Sequence, residues 1–252
     1  MDNNVVIITG AGNGIGKATA IKFAKANAKV VIADINDFDG NKTSELIHSY
    51  SKNSTFVSTD ISIEKDVINL VDTTIKLYGK INIVINNAAA FVFCSIENTN
   101  KQLWENVINT NVIGYSNLIK YSLPHLKKEK NSNIVNVGSV SSFIAQPNFL
   151  PYNTSKGAVR QLTKCLALDL GKYSIRVNSV SPGPIFTNEI EKQINKSTKT
   201  KEEVFKIMSD KTVLKRVGQP EDVANAIYFL ASNKASFITG ANLVIDGGST
   251  IN

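Results

Sequence analysis

Three residues in the second half of the chain have the types and spacing needed to move a proton at neutral pH. Tyr152 and Lys156 are four residues apart in a stretch of helical character, so their side chains share one helix face. A lysine ammonium beside a tyrosine favours the phenolate and lowers a pKa that is otherwise near ~10. Ser139 follows the apolar run 134–137, whose end as a strand would carry the hydroxyl to the same place. The trio predicts acid–base catalysis.

A glycine-rich run near the start of the chain predicts a dinucleotide cradle. It follows an apolar strand and opens a helix, which is the context that gives such a motif meaning. Glycines let the backbone approach a pyrophosphate, and a helix N-terminus offers free N–H groups. The glycine spacing is wider than in the usual dinucleotide fingerprint, so the run alone is a weak signal. The predicted contacts are Gly10, Asn13, Gly14, Ile15 and Gly16.

Polar residues at the ends of the next strands extend this prediction. Asp34 lies 20 residues after Gly14, where a carboxylate can accept hydrogen bonds from ribose hydroxyls and repel a 2′-phosphate. NAD is therefore favoured over NADP, although Asp34 could instead cap the turn before the next helix. Asp60 and Ile61 are placed to flank an adenine. Asn87 and Ala88 follow the fourth strand, where ligands gather in open α/β sheets.

Apolar runs that alternate with amphipathic stretches predict the elements that must position these residues. The predicted strands are 5–9, 29–33, 55–58, 81–85, 134–137, 176–181 and 242–245. The predicted helices are 15–26, 40–51, 63–78, 100–127, 152–173 and 220–231. Continuous apolar strands are typical of a parallel sheet buried on both faces. We expect one α/β domain spanning 1–252, with a doubly wound, seven-stranded parallel sheet flanked by helices, Rossmann-like in form.

Two segments carry further expectations. The polar, lysine-rich stretch 188–215 interrupts the strand–helix alternation and predicts a mobile substrate lid, with a solvated helical excursion as the alternative. Within helix 152–173 an apolar face would serve the sheet or an oligomer equally well. The residues assigned to that face are Ala158, Leu162, Cys165, Leu166 and Leu170.

Composition excludes several classes of function. The net charge of +7 comes from scattered lysines with three arginines, unlike the clustered charge of a nucleic-acid binder. Two cysteines cannot form a disulfide scaffold and fit a reducing, cytoplasmic location. The two histidines lie near neither cysteine, so no metal site is expected. The N-terminal sequence predicts no signal peptide, and no stretch has the length of a membrane span.

Taken together, the motifs resemble the short-chain dehydrogenase/reductase family in its single-domain branch. The resemblance covers essentially the whole chain. The glycine run and the Tyr152-x-x-x-Lys156 motif carry it together with other matching segments. Those segments are Asn86-Asn87-Ala88, Asn111 in Asn-Val-Ile-Gly, Ser139, Pro182-Gly183, the run from Arg216 to Ala224, and Ile245-Asp-Gly-Gly248. One departure is Ala89, where the family commonly has glycine; its methyl group narrows the space beside the nicotinamide.

The resemblance implies a role for each matching residue. Tyr152 would exchange a proton with the substrate oxygen, which Ser139 would also bind, and Lys156 would lower the pKa of Tyr152. Lys156 and Tyr152 would also contact the cofactor at its nicotinamide ribose, and Asn111 would hold a water of a proton relay. Further contacts to the nicotinamide and its phosphate would come from Pro182, Gly183, Ile185 and Thr187.

The substrate is less defined. The resemblance implies a secondary alcohol or ketone of polyol, sugar or hydroxy-acid type, bound by Ser139, Gln146 and Tyr152, in a homotetramer. The pocket could also be lined by Phe91, Phe93, Ser141, Phe143 and Phe149. Two alternatives stay open: a 3-oxoacyl-carrier-protein reductase using NADPH, against which Asp34 argues, and a catalytically silent NAD-binding sensor. The latter would usually lack Tyr152 or Lys156.

Overall fold

Seven parallel strands form one sheet in the computed structural model, which describes residues 1–195 and 200–251. They are β1 (Val5–Thr9), β2 (Lys29–Asp34), β3 (Ser54–Ser58), β4 (Ile83–Asn86), β5 (Asn133–Val137), β6 (Arg176–Pro182) and β7 (Asn242–Ile245). Their order across the sheet is β3-β2-β1-β4-β5-β6-β7. The prediction of a doubly wound, seven-stranded parallel sheet in a Rossmann-like domain is confirmed.

Helices connect the strands, mostly where the sequence predicts them. They are α1 (Gly14–Lys25), α2 (Asp37–His48), α3 (Glu64–Tyr78), α4 (Lys101–Ile108), α5 (Gly114–Leu126), α6 (Leu150–Leu170), α7 (Asn188–Asn195), α8 (Lys201–Asp210) and α9 (Pro220–Ala231). A π-helical turn, Asn109–Ile113, joins α4 to α5, so the predicted helix 100–127 has an interruption. Short 3-10 turns cover Ile96–Asn98, Val140–Ser142, Gly171–Tyr173 and Asn233–Ala235.

Alternate side chains of the central strands feed two separate cores. On one face, Ile8 of β1 belongs to a cluster with Phe23 of α1 and Ile227 of α9. On the other face, Ile7 of β1 belongs to a cluster with Leu70 of α3, and α5 and α6 complete it. Each fully buried side chain of this kind contributes about 1.5–3 kcal/mol. The two cores hold the strand ends, and hence the site, in fixed positions.

The last strand differs from the prediction of burial on both faces. β7 is an edge strand of the sheet, and Leu243 and Val244 are exposed. The apolar pattern of 242–245 is the same as that of a central strand, but β7 has a neighbour on one side only. Its sequence alone therefore overestimates its burial.

The buried face of α6 also differs from the prediction. Val159, Thr163 and Ala167 are buried, whereas Cys165 is exposed. The buried stripe begins at Tyr152 and Lys156 and continues at helical spacing. The prediction holds for Leu170, which is buried, and for Leu166, which packs against the core, but Cys165 is exposed and the buried stripe also includes the polar Tyr152 and Lys156.

The point where the strand order reverses opens a crevice between β1 and β4. The hydroxyl of Thr9 accepts hydrogen bonds from the backbone N–H groups of Asn87 at 2.9 Å and Ala88 at 3.1 Å. The amide Nδ2 of Asn87 donates to the carbonyls of Thr9 at 2.9 Å and Gly10 at 3.0 Å. These bonds fasten the two strand ends together. Ligands of doubly wound sheets bind at this point of the topology.

Candidate active site

The end of β5 and the first turn of α6 bring Ser139 and Tyr152 together. Ser139 caps the 3-10 turn that follows β5, and its Oγ accepts a hydrogen bond from the N–H of Ser141 at 3.1 Å. Tyr152 is 7% exposed, and its hydroxyl is close enough to the Ser139 side chain for Ser139 to lower the pKa of Tyr152. The sequence placed Ser139 at a strand end near the tyrosine, and the structure brings the two hydroxyls together.

Lys156 lies one helical turn after Tyr152 and is almost entirely buried, with 1% exposure. Its Nζ donates to the carbonyl of Val137 at 2.9 Å. The same Nζ is 5.7 Å from the ring centroid of Tyr152 and 5.7 Å from that of Tyr115. The Tyr115 hydroxyl donates to the same Val137 carbonyl at 3.4 Å. Lys156 is thus held between two tyrosine rings, and sequence reasoning missed Tyr115 because no motif includes it.

The protonation of this pair differs from the prediction. Burial lowers the pKa of Lys156 to about 7. Burial raises the pKa of Tyr152 above its ordinary value, and the side chain of Ser139 opposes the rise only in part. The predicted lowering of the Tyr152 pKa is absent because both groups are desolvated and the lysine donates to Val137 rather than to the phenol. Near neutral pH, Lys156 is therefore the group of the pair that titrates.

Asn111 lies in the π-helical turn and is fully buried. Its Oδ1 accepts from the N–H of Ala90 at 2.7 Å, and its Nδ2 donates to the Ala90 carbonyl at 3.0 Å and to Ser155 Oγ at 3.0 Å. Ser155 Oγ in turn donates to the carbonyl of Tyr152 at 2.7 Å. The side chain thereby ties the segment after β4 to the helix of Tyr152. π-helical turns recur at functional sites.

A cavity of about 490 Å³ lies beyond the carboxyl ends of β1, β2 and β4. Most of the residues predicted to bind the cofactor line it. Those residues are Gly10, Asn13, Gly14, Ile15, Asp34, Asp60, Ile61, Asn87, Ala88 and Thr187.

The other predicted cofactor contacts lie elsewhere. A Cβ at Gly16 would stand 2.0 Å from the Gly10 carbonyl oxygen, so Gly16 lets α1 pack against the turn. Pro182 is buried at the end of β6, and Gly183 lines the neighbouring substrate cavity. Ile185 lines a third cavity, of about 470 Å³, beside Gly218.

The cradle itself suits a pyrophosphate. Gly10 has a φ of +61°, and a Cβ there would stand 2.8 Å from the Cα of Ala88. Helix α1 begins at Gly14 with no side-chain cap from its N-cap residue, Asn13. Its first-turn N–H groups are therefore available to an anion. A nicotinamide dinucleotide fits this donor set, and Ala89, which lacks a positive φ, keeps an ordinary backbone in the same wall.

Asp34 accepts backbone hydrogen bonds on both sides of its strand end, as its alternative role predicts, and its binding of ribose stays a prediction. One carboxylate oxygen accepts from the N–H of Gly12 at 2.7 Å, and the other accepts from the N–H of Asn36 at 2.9 Å. The residue is 7% exposed and lines the cofactor cavity. A second carboxylate, Asp39, lines the same cavity and was missed. The N-cap signal Asn36-x-x-Asp39 could have found it, because it fixes the start of α2.

A larger cavity of about 970 Å³ adjoins Ser139 and Tyr152 and includes Gln146. It contains Phe91, Phe93, Ser141 and Phe149 from the predicted pocket. Phe143 was a wrong prediction: it is exposed, and the guanidinium of Arg160 lies 5.3 Å from its ring centroid. Every predicted pocket residue except Phe143 thus lines this cavity.

The predicted lid segment supplies further residues of this cavity. Ile190 and Ile194 of α7 line the same cavity as Tyr152, and so do Val204 and Met208 of α8. Residues 196–199 of the predicted segment 188–215 lie outside the described residues. The helices cover the substrate cavity, and their mobility stays a prediction.

Two kinds of feature are absent from the described residues. No helix there is long and apolar enough to cross a membrane. The same part of the chain holds no group of three or more His, Cys, Asp or Glu side chains that could bind a metal ion.

Comparisons with known proteins agree with this geometry. The family model described as enoyl-(acyl carrier protein) reductase matches residues 10–250. An oxidoreductase of Thermotoga maritima is 39% identical over 246 residues, which cover 98% of this chain and 97% of the relative. L-fucose dehydrogenase of Bos taurus is 36% identical over 248 residues, covering 98% and 89%. The structure of 3-ketoacyl-(acyl-carrier-protein) reductase from Brucella melitensis complexed with NADH has a TM-score of 0.88 at 32% identity, covering 99% of both chains.

Proposed function

The chain belongs to the short-chain dehydrogenase/reductase family. We propose that it is an NAD-dependent dehydrogenase of secondary alcohols and their ketones. One observation carries the proposal: Tyr152 and Ser139 line a substrate cavity that adjoins the cofactor cavity, and Phe91 and Thr187 line both. A substrate oxygen at the two hydroxyls would therefore lie beside the cofactor.

The reaction needs one proton donor and one polar partner at the substrate oxygen. In the reduction direction, the carbonyl carbon receives a hydride and the oxygen receives a proton from Tyr152 Oη. Ketone, reduced cofactor and one proton thus give alcohol and oxidised cofactor. A bound nicotinamide dinucleotide supplies the hydride chemistry. Ser139 donates a hydrogen bond to the oxygen as charge develops there.

Lys156 and Asn111 support the phenol of Tyr152. Protonated Lys156, held below the Tyr152 ring, stabilises the phenolate that remains after proton transfer. Because burial lowers its pKa to about 7, Lys156 can gain and lose a proton at the pH of the reaction. We also assign to Lys156 the binding of the nicotinamide ribose, and to Asn111 a place in the relay that returns a proton from solvent.

The preference for NAD rests on charge. Asp34 and Asp39 both line the cofactor cavity, and no lysine or arginine among the described residues lines it. A 2′-phosphate would meet two carboxylates without a neutralising cation, whereas ribose hydroxyls can donate to them. The 3-oxoacyl-carrier-protein reductase using NADPH is the second candidate. The similarity to the Brucella melitensis reductase supports the acyl-reductase activity but not the choice of NADPH, because that structure is complexed with NADH. The two carboxylates also oppose NADPH.

Self-association is proposed as well, as a homotetramer in the cytoplasm. Leu168 of α6 is 84% exposed, and Phe237 is fully exposed on the surface of the single chain. Exposed large apolar side chains of this kind would be covered by a neighbouring chain in an oligomer. Both cysteines are free, as expected in a reducing compartment. Sedimentation velocity should give a species of four chains, and a stable monomer would contradict the proposal.

Initial rates with NAD and NADP in parallel test the function. The panel contains secondary alcohols, polyols, sugars and hydroxy acids, each with its ketone where one is available. We expect an NAD-linked rate that Tyr152→Phe abolishes. Bound NADH without turnover of any member would instead support a silent sensor. NADPH oxidation by an acetoacetyl thioester, with no NAD-linked rate, would support the acyl reductase.

A further inference from the structure

Three phenylalanine rings surround the catalytic tyrosine in the substrate cavity. The Phe91 ring stacks on Tyr152, with the centroids 5.2 Å apart and an interplanar angle of 20°. The Phe93 ring meets Tyr152 edge-on at 5.6 Å, and Phe149 does so at 6.4 Å. Phe93 and Phe149 also contact each other at 4.4 Å. A substrate whose oxygen reaches Tyr152 must therefore place its carbon body against aromatic rings.

These rings are not fully covered by the protein. Phe91 is 45% exposed and Phe93 is 38% exposed, although both lie in a concave cavity wall. Water against apolar surface is unfavourable by roughly 25 cal/mol per Å², so a ligand that covers these rings with carbon gains that free energy. A ligand that covers them with hydroxyl groups does not.

The wall from α7 and α8 is apolar too. Ile190 and Ile194 of α7 face the cavity together with Val204 and Met208 of α8. A methionine side chain is flexible and adapts to irregular apolar ligands. At about 970 Å³ the cavity lies near the upper end of the usual range for small-molecule sites, which leaves room for a substrate body well beyond the reacting carbon.

Polar side chains line the cavity too, but the aromatic rings lie on the side of the reacting hydroxyl of Tyr152. The uncharged polar residues beside Tyr152 are Ser139, Ser141, Gln146, Thr187 and Ser249. Ser141 Oγ donates to Gln146 Oε1 at 2.7 Å, so the Ser141 proton is already used within the wall. The charged side chains that line the cavity in the described part of the chain are Asp210 and Lys211, and both are exposed. A hexose would bring several hydroxyls into the aromatic wall, and each one left without a partner costs about 1–3 kcal/mol.

We infer that the substrate is a ketone or secondary alcohol with an apolar body, aryl or alkyl, and that sugars and polyols are poor substrates. The inference rests on the proposed function and narrows its substrate class. The carbonyl oxygen binds at Ser139 and Tyr152, the body covers Phe91 and Phe93, and its far end contacts Met208. Gln146 accommodates at most a single additional polar group.

Initial rates with two matched groups of compounds test the inference. Acetophenone and 2-octanone with NADH, and 1-phenylethanol with NAD, represent apolar bodies; L-fucose, D-glucose and sorbitol with NAD represent polar ones. We expect kcat/KM to be at least about tenfold higher for the apolar group, which corresponds to about 1.4 kcal/mol. Equal or higher values for the sugars would overturn the inference and leave the proposed dehydrogenase intact. NADH binding, measured by fluorescence, without turnover of either group would overturn the proposed function itself.

Substitutions of residues that line the substrate cavity test whether apolar substrates contact these side chains directly. Phe149→Ala should raise KM for acetophenone about fivefold with little change in kcat, whereas Phe143→Ala, outside the cavity, should change neither. Met208→Gln keeps the side-chain length on the wall from α8 and should lower kcat/KM for 2-octanone without lowering that for sugars. If Phe149→Ala does not fold, Met208→Gln tests the apolar binding mode by itself. An unchanged KM in both folded variants would contradict the apolar binding mode.

Discussion

The two adjoining cavities of this protein are built in different ways. The cofactor cavity is formed by backbone and short polar side chains at the ends of β1, β2 and β4, with Gly10 close against Ala88. The substrate cavity is formed by large side chains from the segments after β4 and β5 and from α7 and α8. Backbone geometry demands particular residue types at particular positions, whereas an apolar wall accepts many combinations. A motif can therefore identify the cofactor but not the substrate.

Tyr152 lines the substrate cavity, and removal of its hydroxyl gives the largest expected effect, a loss of kcat. Tyr152→Phe keeps the ring stacked on Phe91 and removes the acid–base group, so we expect kcat to fall about 10³-fold. NADH affinity, measured by fluorescence titration, should stay within about twofold, because Tyr152 is not among the residues that line the cofactor cavity. Tyr173→Phe, at an exposed tyrosine after the same helix, should leave both quantities unchanged. A parallel loss of NADH affinity would show that the two cavities do not act separately.

A substitution at Gly16 tests whether the cofactor cavity depends on the close packing of α1 against Gly10. In Gly16→Ala the new methyl group would stand 2.0 Å from the Gly10 carbonyl oxygen, so α1 must move away from the turn. We expect a loss of about 3 kcal/mol in the free energy of unfolding and weaker NADH binding. The matched control is Gly171→Ala, where nothing lies within 4 Å of the new Cβ and φ is −56°. Its expected effect in urea unfolding is a small stabilisation. Equal stability of the two variants would contradict the packing role of Gly16.

The lowered pKa of Lys156 should make the free energy of unfolding depend on pH. Between about pH 7 and 10 the unfolded chain keeps the Lys156 proton while the folded chain, in which the pKa is about 7, has released it. Rising pH therefore stabilises wild-type protein relative to Lys156→Met, by up to ~1.4 kcal/mol per pH unit. Below pH 7 both states carry the proton and the difference stays constant. Urea unfolding at pH 7, 8 and 9 measures this.

A matched substitution on the same helix controls for the general loss of a lysine. Lys164 is exposed on α6, so Lys164→Met should follow the wild-type pH dependence. If Lys156→Met also runs parallel to wild type, the buried lysine keeps its proton in the folded state, and the assignment of the titrating group is wrong.

The fold was predictable because its signals are local. Continuous apolar runs gave seven strands, and each is present with small shifts at its ends, such as 81–85 against Ile83–Asn86. The buried face of α6 was not predictable from hydropathy, since Lys156 is desolvated there against its own preference. Its burial depends on Val137 and Tyr115, which the chain brings close only through the sheet.

The site was predictable to the extent that it rests on motifs. Tyr152, Lys156, Ser139 and the glycine run were identified from their types and order. Phe143 was placed in the pocket because it is near Ser139 in sequence, yet it turns outward to Arg160. The wall from α7 and α8 carries no signature, because side chains from distant segments meet there only in the folded chain.

Removal of negative charge at the cofactor cavity gives the smallest expected effect, a change in the preference for NAD over NADP. It should leave the substrate cavity unaffected. Asp34→Asn keeps the size of the side chain and removes one of the carboxylate charges of Asp34 and Asp39 at the cavity, while one of the N–H groups of Gly12 and Asn36 loses its acceptor. We expect the ratio of kcat/KM for NAD to that for NADP to fall about tenfold, while KM for the alcohol substrate stays unchanged. Asp37→Asn removes a charge from the exposed first turn of α2, outside the cavity, and should leave the ratio as it is. Because Asp39 remains in place, the double variant Asp34→Asn with Asp39→Asn should shift the ratio further. An unaltered ratio in the double variant would mean that shape rather than charge excludes the phosphate.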